Sequence, residues 1–261
     1  MAFTIDTLLN PFKSIPGISA HMMLEQYQAR YEEIKSRILW GLAVDKGHYI
    51  AHVRIPSSSE LCPDIFYDVV LELYPASEKV AESRSLNEYS VKIYSNCPSF
   101  IYQFTYAYNR YNLITDFLKN KCSKICLTKP AVRLNPNNAI GVDIDTWQAA
   151  FHLKRLGLLS YKQTFEAAAK ATRKKIYDNV FTQEAMLVLR SRSESKEREK
   201  RKIQKAMARA NKRNSDYQEQ KSYEHAVAKA SGGKLNSRVV GKKIAKAART
   251  ARSPRHPRRP R

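Results

Sequence analysis

Glycine and cysteine are both scarce in this chain, with eight of the first and four of the second among 261 residues. So few glycines leave little room for a loop that cradles phosphates through bare backbone, and no such loop is recognisable. The cysteines, Cys62, Cys97, Cys122 and Cys126, are too few and too irregularly spaced for a disulfide scaffold. Long apolar runs are missing too: no window approaches the roughly 18 uninterrupted apolar residues of a membrane span. The opening residues, Met1 to Asn10, have neither a basic stretch nor a long apolar one, so no secretory leader is expected. These absences point to a reducing, intracellular setting, or one filled from a cytoplasm, and to no membrane partner.

The most informative absence is at the other end. Residues 225–261 hold 12 Lys or Arg and no Asp or Glu. Such a segment neither builds a core nor neutralises itself, so it calls for an external polyanion, most commonly nucleic acid. Of the formal net charge of +22, residues 191–261 carry +17, with 23 basic and 6 acidic residues, and residues 1–190 carry only +5. Aromatics divide the opposite way: of 26 Phe, Tyr and Trp, only Tyr217 and Tyr223 lie beyond residue 190. Large apolar groups offset the chain entropy lost on folding. The expected organisation is therefore a folded body over 1–190, a charged helical extension over 191–230, and a basic, largely disordered tail over 231–261.

Within the body, Met23, Tyr27, Tyr31, Ile34 and Ile38 recur at spacings of three and four, which predicts a helix over about 20–40 capped by Ser19. Gly41 and the Asp45-Lys46-Gly47 turn end it. Strands are expected at Tyr49–Ile55, Phe66–Tyr74 and Tyr89–Tyr94, with a polar loop over 75–88. The strongest strand pattern is Phe100, Tyr102, Phe104, Tyr106 and Tyr108, alternating over nine residues. Links between the runs are mostly too short for parallel crossovers. The fold class expected is α+β: a small antiparallel sheet of three or four strands covered by helices, then a long charged helix and a disordered basic tail. Further helices are expected at Tyr111–Lys121, at Trp147 to about Leu156 capped by Asp145 or Thr146, and from Ser160 through Phe165, Ala168, Thr172, Ile176 and Val180. Ser193–Ala210 is rich in helix formers with almost no apolar face.

Phosphate neutralisation needs charge density rather than fixed geometry. The expected nucleic-acid contacts are Lys234, Arg238, Lys242, Lys243, Lys246, Arg249, Arg252, Arg255, Arg258, Arg259 and Arg261, which recur closely enough to follow a backbone. The Phe100–Tyr108 aromatics resemble a base-stacking platform. A strictly alternating aromatic face is far more often core, and the Lys/Arg-Gly-Phe grouping of RNA-binding sheets is missing, so core is expected. His48 and His52 lie four residues apart in a strand, about 13 Å between side chains, so they cannot chelate one ion; neither they nor Cys122 and Cys126 have structural-zinc spacing. No metal and no cofactor is expected. Asp64 and Glu72 suggest nuclease carboxylates, but the lysine such a site requires does not follow Glu72. Asp64, Asp68 and Glu72 are read as the solvent face of a strand, and Asp143 and Asp145 as turn and helix-cap residues. Enzymatic activity is not expected.

The stretches Glu88-Tyr-Ser-Val-Lys-Ile-Tyr-Ser-Asn-Cys-Pro-Ser-Phe-Ile-Tyr-Gln-Phe-Thr-Tyr106 and Leu127-Thr-Lys-Pro-Ala-Val-Arg-Leu-Asn-Pro136 resemble small structural proteins of tailed bacteriophages of low-GC hosts. The resemblance spans about residues 48–155 and assigns no functional residue. It implies a particle component with its body in the shell or portal region and its tail on packaged genome; the expected polyanion is DNA in preference to RNA, with the choice left open by the charge pattern. It also implies a virion or host-cytoplasm location and contacts with other particle proteins, with oligomerisation. Two alternatives fit the charge layout: an RNA-binding protein of a ribosome-like assembly, and a scaffolding protein whose tail meets an acidic protein.

Overall fold

Lys46 and Gly47 both have positive φ, 50° and 79°. That is the handedness of a two-residue hairpin turn matched to strand twist, and here it folds β1 (Leu39–Asp45) onto β2 (His48–Pro56). The computed structural model describes residues 3–10 and 20–230. Two further antiparallel strands, β3 (Phe66–Tyr74) and β4 (Ser90–Ser95), complete a sheet of order β1-β2-β3-β4. The α+β class holds: four antiparallel strands with helices, followed by a long charged helix.

Ahead of the sheet are α1 (Ile5–Leu9) and α2 (Ala20–Ile34); Ser19, the expected cap of α2, lies outside the described residues. The expected helix over 20–40 stops short because Leu39 onward pairs with β2, and a ladder of backbone bonds outweighs a weak helical periodicity. The loop after β3 contains a short helix, α3 (Glu78–Glu82), whose N-cap Ser77 accepts from the Val80 amide.

The largest departure concerns Phe100–Tyr108, which is not a strand. Phe100–Phe104 forms a π-helical turn that runs into α4 (Thr105–Arg110). Alternation at every second residue also contains a series at every fourth, and a helix sorts the five rings by that series. Phe100 and Tyr108 are buried, Phe104 is partly buried, and Tyr102 is 50 % exposed. Phe100 meets Tyr108 edge-on with ring centroids 5.1 Å apart, and the Tyr108 hydroxyl donates to the Gly141 carbonyl at 2.9 Å. A Cβ on Gly141 would come within 2.5 Å of the Phe104 ring, so any side chain there would require that ring to shift.

After α4, the expected Tyr111–Lys121 helix is reduced to a 3₁₀ segment, Asp116–Lys121, since Asn112 takes positive φ and turns the chain. A short α5 (Lys124–Thr128) follows, then α6 (Ile144–Arg155), capped by Asp143 and not by Asp145 or Thr146. The helix expected from Ser160 is divided into α7 (Lys162–Ala168) and α8 (Arg173–Asn179), because the Ala171 amide leaves the helical pattern to bond the Leu42 carbonyl at the β1 edge.

Alternate residues of a strand share a face. One face of the sheet carries Ala51, Val53, Ile55, Val69, Leu71, Leu73, Val91 and Ile93, all buried. Beside β2 and β3 lies α6, which also packs on α1 and α2; Trp147 of α6 stacks on Phe151 at 4.5 Å and donates to the Leu9 carbonyl. The opposite face carries the polar and charged His48, His52, Arg54, Asp68, Glu72 and Lys92, interleaved with the buried Ile50, Val70 and Tyr94.

The last helix, α9 (Gln183–Ala230), has 48 residues and spans the boundary between two compact units, Met1–Arg198 and Glu199–Arg261. Gln183 is fully buried, and its amide bonds Ser95, Thr105 and Ser123. Arg190 pairs with Glu194, and the Ser193 hydroxyl donates to the Leu61 carbonyl. No described helix is long and apolar enough to cross a membrane.

The sorting of the aromatic rings is testable by thermal or denaturant unfolding. Phe100→Ala should cost about 3–5 kcal/mol of stability, whereas Tyr102→Ala should stay within about 1 kcal/mol. Equal losses at both positions would mean that the rings are not divided by a helix.

Candidate functional site

Three groupings of charge and chemistry stand out. The first is the basic extension. All the expected contact residues, from Lys234 and Arg238 through Lys242, Lys243, Lys246, Arg249, Arg252, Arg255, Arg258, Arg259 and Arg261, lie outside the described residues. What is described is the run of α9 that leads to them. There, Lys202, Lys205, Arg209 and Lys212 are exposed, and their spacing of three, four and three places them on one helix face. None of the four makes an ion pair among the described residues. Ile203, Met207 and Tyr217 are also exposed, on a different side of the helix. The basic stripe follows from the 3.6-residue period once Gln183–Ala230 is known to be continuous; without that continuity the sequence offers only charge density.

The second grouping is the charged sheet face. Asp68 and Glu72 are buried, contrary to the expectation of a solvent face, whereas Asp64 is exposed. Strand alternation tells which residues share a face and not what covers it. Here the segment Tyr177–Phe181 approaches that face: the Tyr94 hydroxyl donates to the Phe181 carbonyl at 2.6 Å, and the Phe181 amide donates to Asp68 at 3.1 Å. Each buried carboxylate has its own histidine. His52 Nε2 lies 2.9 Å from Asp68 and His48 Nδ1 2.9 Å from Glu72. His48 and His52 therefore each hydrogen-bond a separate carboxylate. Cys122 is buried, with its thiol directed at the Leu118 carbonyl, and Cys126 lies in α5.

The third grouping was not visible in the sequence. Cys97, Asp143 and Asp145 are buried together and bring one ligand-type atom each within 4.8 Å of one another. Asp143 spends both oxygens locally, accepting from the Thr146 amide at 2.9 Å and hydroxyl at 2.7 Å and from the Cys97 thiol at 3.5 Å. Asp145 faces the Arg30 guanidinium at 3.4 Å. A divalent ion would have to compete with that fixed cation and with the helix cap, so the donor set fits a self-satisfied polar knot better than a metal centre. The residues are 46 and 48 positions apart, and no local spacing announces them.

Burial dominates the chemistry of this knot. Desolvation pushes the Cys97 thiol and the Asp143 carboxyl up. Desolvation, then the neighbouring Asp143, raise Asp145 to about 7, against a lowering pull from Arg30. A carboxyl raised on folding binds its proton more tightly in the folded state. Its contribution to stability is complete below the ordinary value of 3.8 and is lost as pH rises to about 7. Asp145→Asn should therefore gain thermal stability relative to the parent as pH is taken from about 4 to about 7. Parallel melting-temperature curves for the two proteins would show that this carboxyl is already ionised across that range. Comparison with protein-family models, with curated proteins and with solved structures finds no match, so what this chain does has to come from its own charges and geometry.

Proposed function

We infer that this protein is a non-enzymatic, sequence-independent nucleic-acid-binding structural component of a particle, with a virion or host-cytoplasm location. The observation that carries this is the separation of charge: 12 Lys or Arg with no acidic residue over 225–261, preceded by the exposed stripe Lys202, Lys205, Arg209 and Lys212 on α9. Cations set along a line release condensed counterions from a phosphate backbone without reading bases. The body contributes position and protein contacts, and the extension contributes phosphate contacts, with DNA as the polyanion that the phage-like texture of residues 48–155 implies.

Truncation after Glu224 takes the formal net charge from +22 to +10. Affinity for duplex DNA of any sequence should fall sharply, and the slope of log K against log salt should flatten by about 0.9 for each phosphate that is no longer neutralised. Replacing Lys202, Lys205, Arg209 and Lys212 by Gln should reduce the slope further in the same direction. Fluorescence anisotropy over a salt series measures both. An unchanged slope after truncation would remove the tail as the binding element. Displacement of DNA by an equal charge of polyglutamate would favour an acidic protein partner.

A further inference from the structure

The exposed length of α9 has a second side. Every side chain described between Lys202 and Ala226 is exposed. Helices in water take most of their stability from packing an apolar face, not from propensity. Here the charges add a further cost, because Lys202, Lys205, Arg209 and Lys212 follow one another at spacings of three and four, where like charges repel. The basic stripe calls for a polyanion. The side that faces away from it calls for something else.

Ile203, Met207 and Tyr217 are each more than half exposed. Turning roughly 100° per residue, a helix sets these three within about 80° of one another and about 140° away from the basic stripe. Positions 210 and 214, alanine and asparagine in the sequence, complete the run 203, 207, 210, 214, 217, whose steps alternate between four and three. That alternation averages 3.5 residues, the period of a seam between two helices. The positions that flank it hold Gln204, Ala206, Asn211, Gln218 and Gln220, all uncharged, and 213 alone is basic. In so cationic a helix, one face is kept almost free of charge.

Charge also divides along the length. Residues 200–213 hold seven Lys or Arg and no Asp or Glu, whereas residues 214–224 hold Asp216, Glu219 and Glu224 against Lys221 alone. A parallel neighbour of the same sequence would set seven cations beside seven. An antiparallel one sets each basic half beside an acidic half, at both ends at once. The occupant that answers both the neutral face and this polarity is therefore a second copy of the same helix. Nucleic acid would complement the basic half only and would leave the neutral face uncovered.

We propose that two copies of this chain pair through α9, antiparallel, along the Ile203–Met207–Tyr217 face and about a two-fold axis between positions 210 and 214. The contact is then self-complementary. Met207 meets the partner's Tyr217, a thioether on an aromatic ring. Ile203 meets the apolar stem of the partner's Lys221, which in each copy lies 5.4 Å over its own Tyr217 ring. One step further out, Lys200 comes opposite the partner's Glu224. Both basic stripes point away from the seam, so pairing leaves them open to phosphate.

The full chain, freed of nucleic acid by nuclease digestion, is followed by sedimentation equilibrium from about 1 to about 200 µM. A reversible monomer–dimer equilibrium with a dissociation constant on the order of 10 µM is expected, because the seam is shorter than three heptads. Ile203→Asn with Met207→Asn should weaken it by roughly tenfold or more and leave the melting temperature of the body in place, since both side chains are exposed. Lys205→Gln with Arg209→Gln, on the other side of the helix, should not weaken it. Direction is read by disulfide trapping after Cys126→Ser, which removes the one cysteine that is not buried. A Met207→Cys chain mixed with a Tyr217→Cys chain should give a mixed disulfide, and neither chain alone should couple to itself. A chain that stays monomeric to about 200 µM overturns the proposal, as does a dimer that survives the Ile203 and Met207 substitutions. Self-coupling of the Met207→Cys chain, or association that appears only when DNA is added, overturns it as well. The supporting results are all obtained without DNA, so they stand or fall apart from the nucleic-acid reading.

Discussion

One buried carboxylate joins most of the body. Asp68 sits on β3 with no exposed surface, and its oxygens accept from His52 of β2, from the Asn96 side chain just past β4, and from the Phe181 amide ahead of α9. Its own amide donates to Asn96 at 2.8 Å. A charge buried this completely persists only when several partners hold it, and removing one partner from such a group costs about 3–5 kcal/mol. The charged sheet face can therefore be covered only in the arrangement that supplies those partners. His52 orientation, Arg54 placement and the start of α9 all follow from the same requirement.

The two faces of the sheet consequently divide the work. The apolar face supplies the nonspecific drive to fold, with Val, Ile and Leu side chains that any neighbouring apolar helix would cover. The charged face supplies uniqueness, because His48–Glu72, His52–Asp68 and Arg173–Asp45 each close in only one register.

Much of the sheet was legible in the sequence. β2, β3 and β4 were found within a residue or two, since alternation with β-branched and aromatic residues is a direct signature of a pleated strand. β1 was missed because Leu39, Trp40 and Val44 are partly exposed on an edge strand, and their spacing continues the stripe of α2. Phe100–Tyr108 was misread for the opposite reason: its period of two is genuine, but only Phe100, Phe104 and Tyr108 face inward, and a pattern cannot show which half of itself is buried. The long α9 was legible from composition. Asp68, Glu72 and the Cys97–Asp143–Asp145 knot were not, because a buried polar group is defined by partners that are distant in sequence.

The fastening of α9 has a mechanical consequence. The bonds from Tyr94, Asn96 and Asp68 to Phe181, and from Ser95, Thr105 and Ser123 to Gln183, all lie within a few residues of the helix start. Because they converge on two residues, Phe181 and Gln183, fraying of α9 from its far end leaves all of them intact, and the anchorage is independent of how much of the exposed helix stays wound.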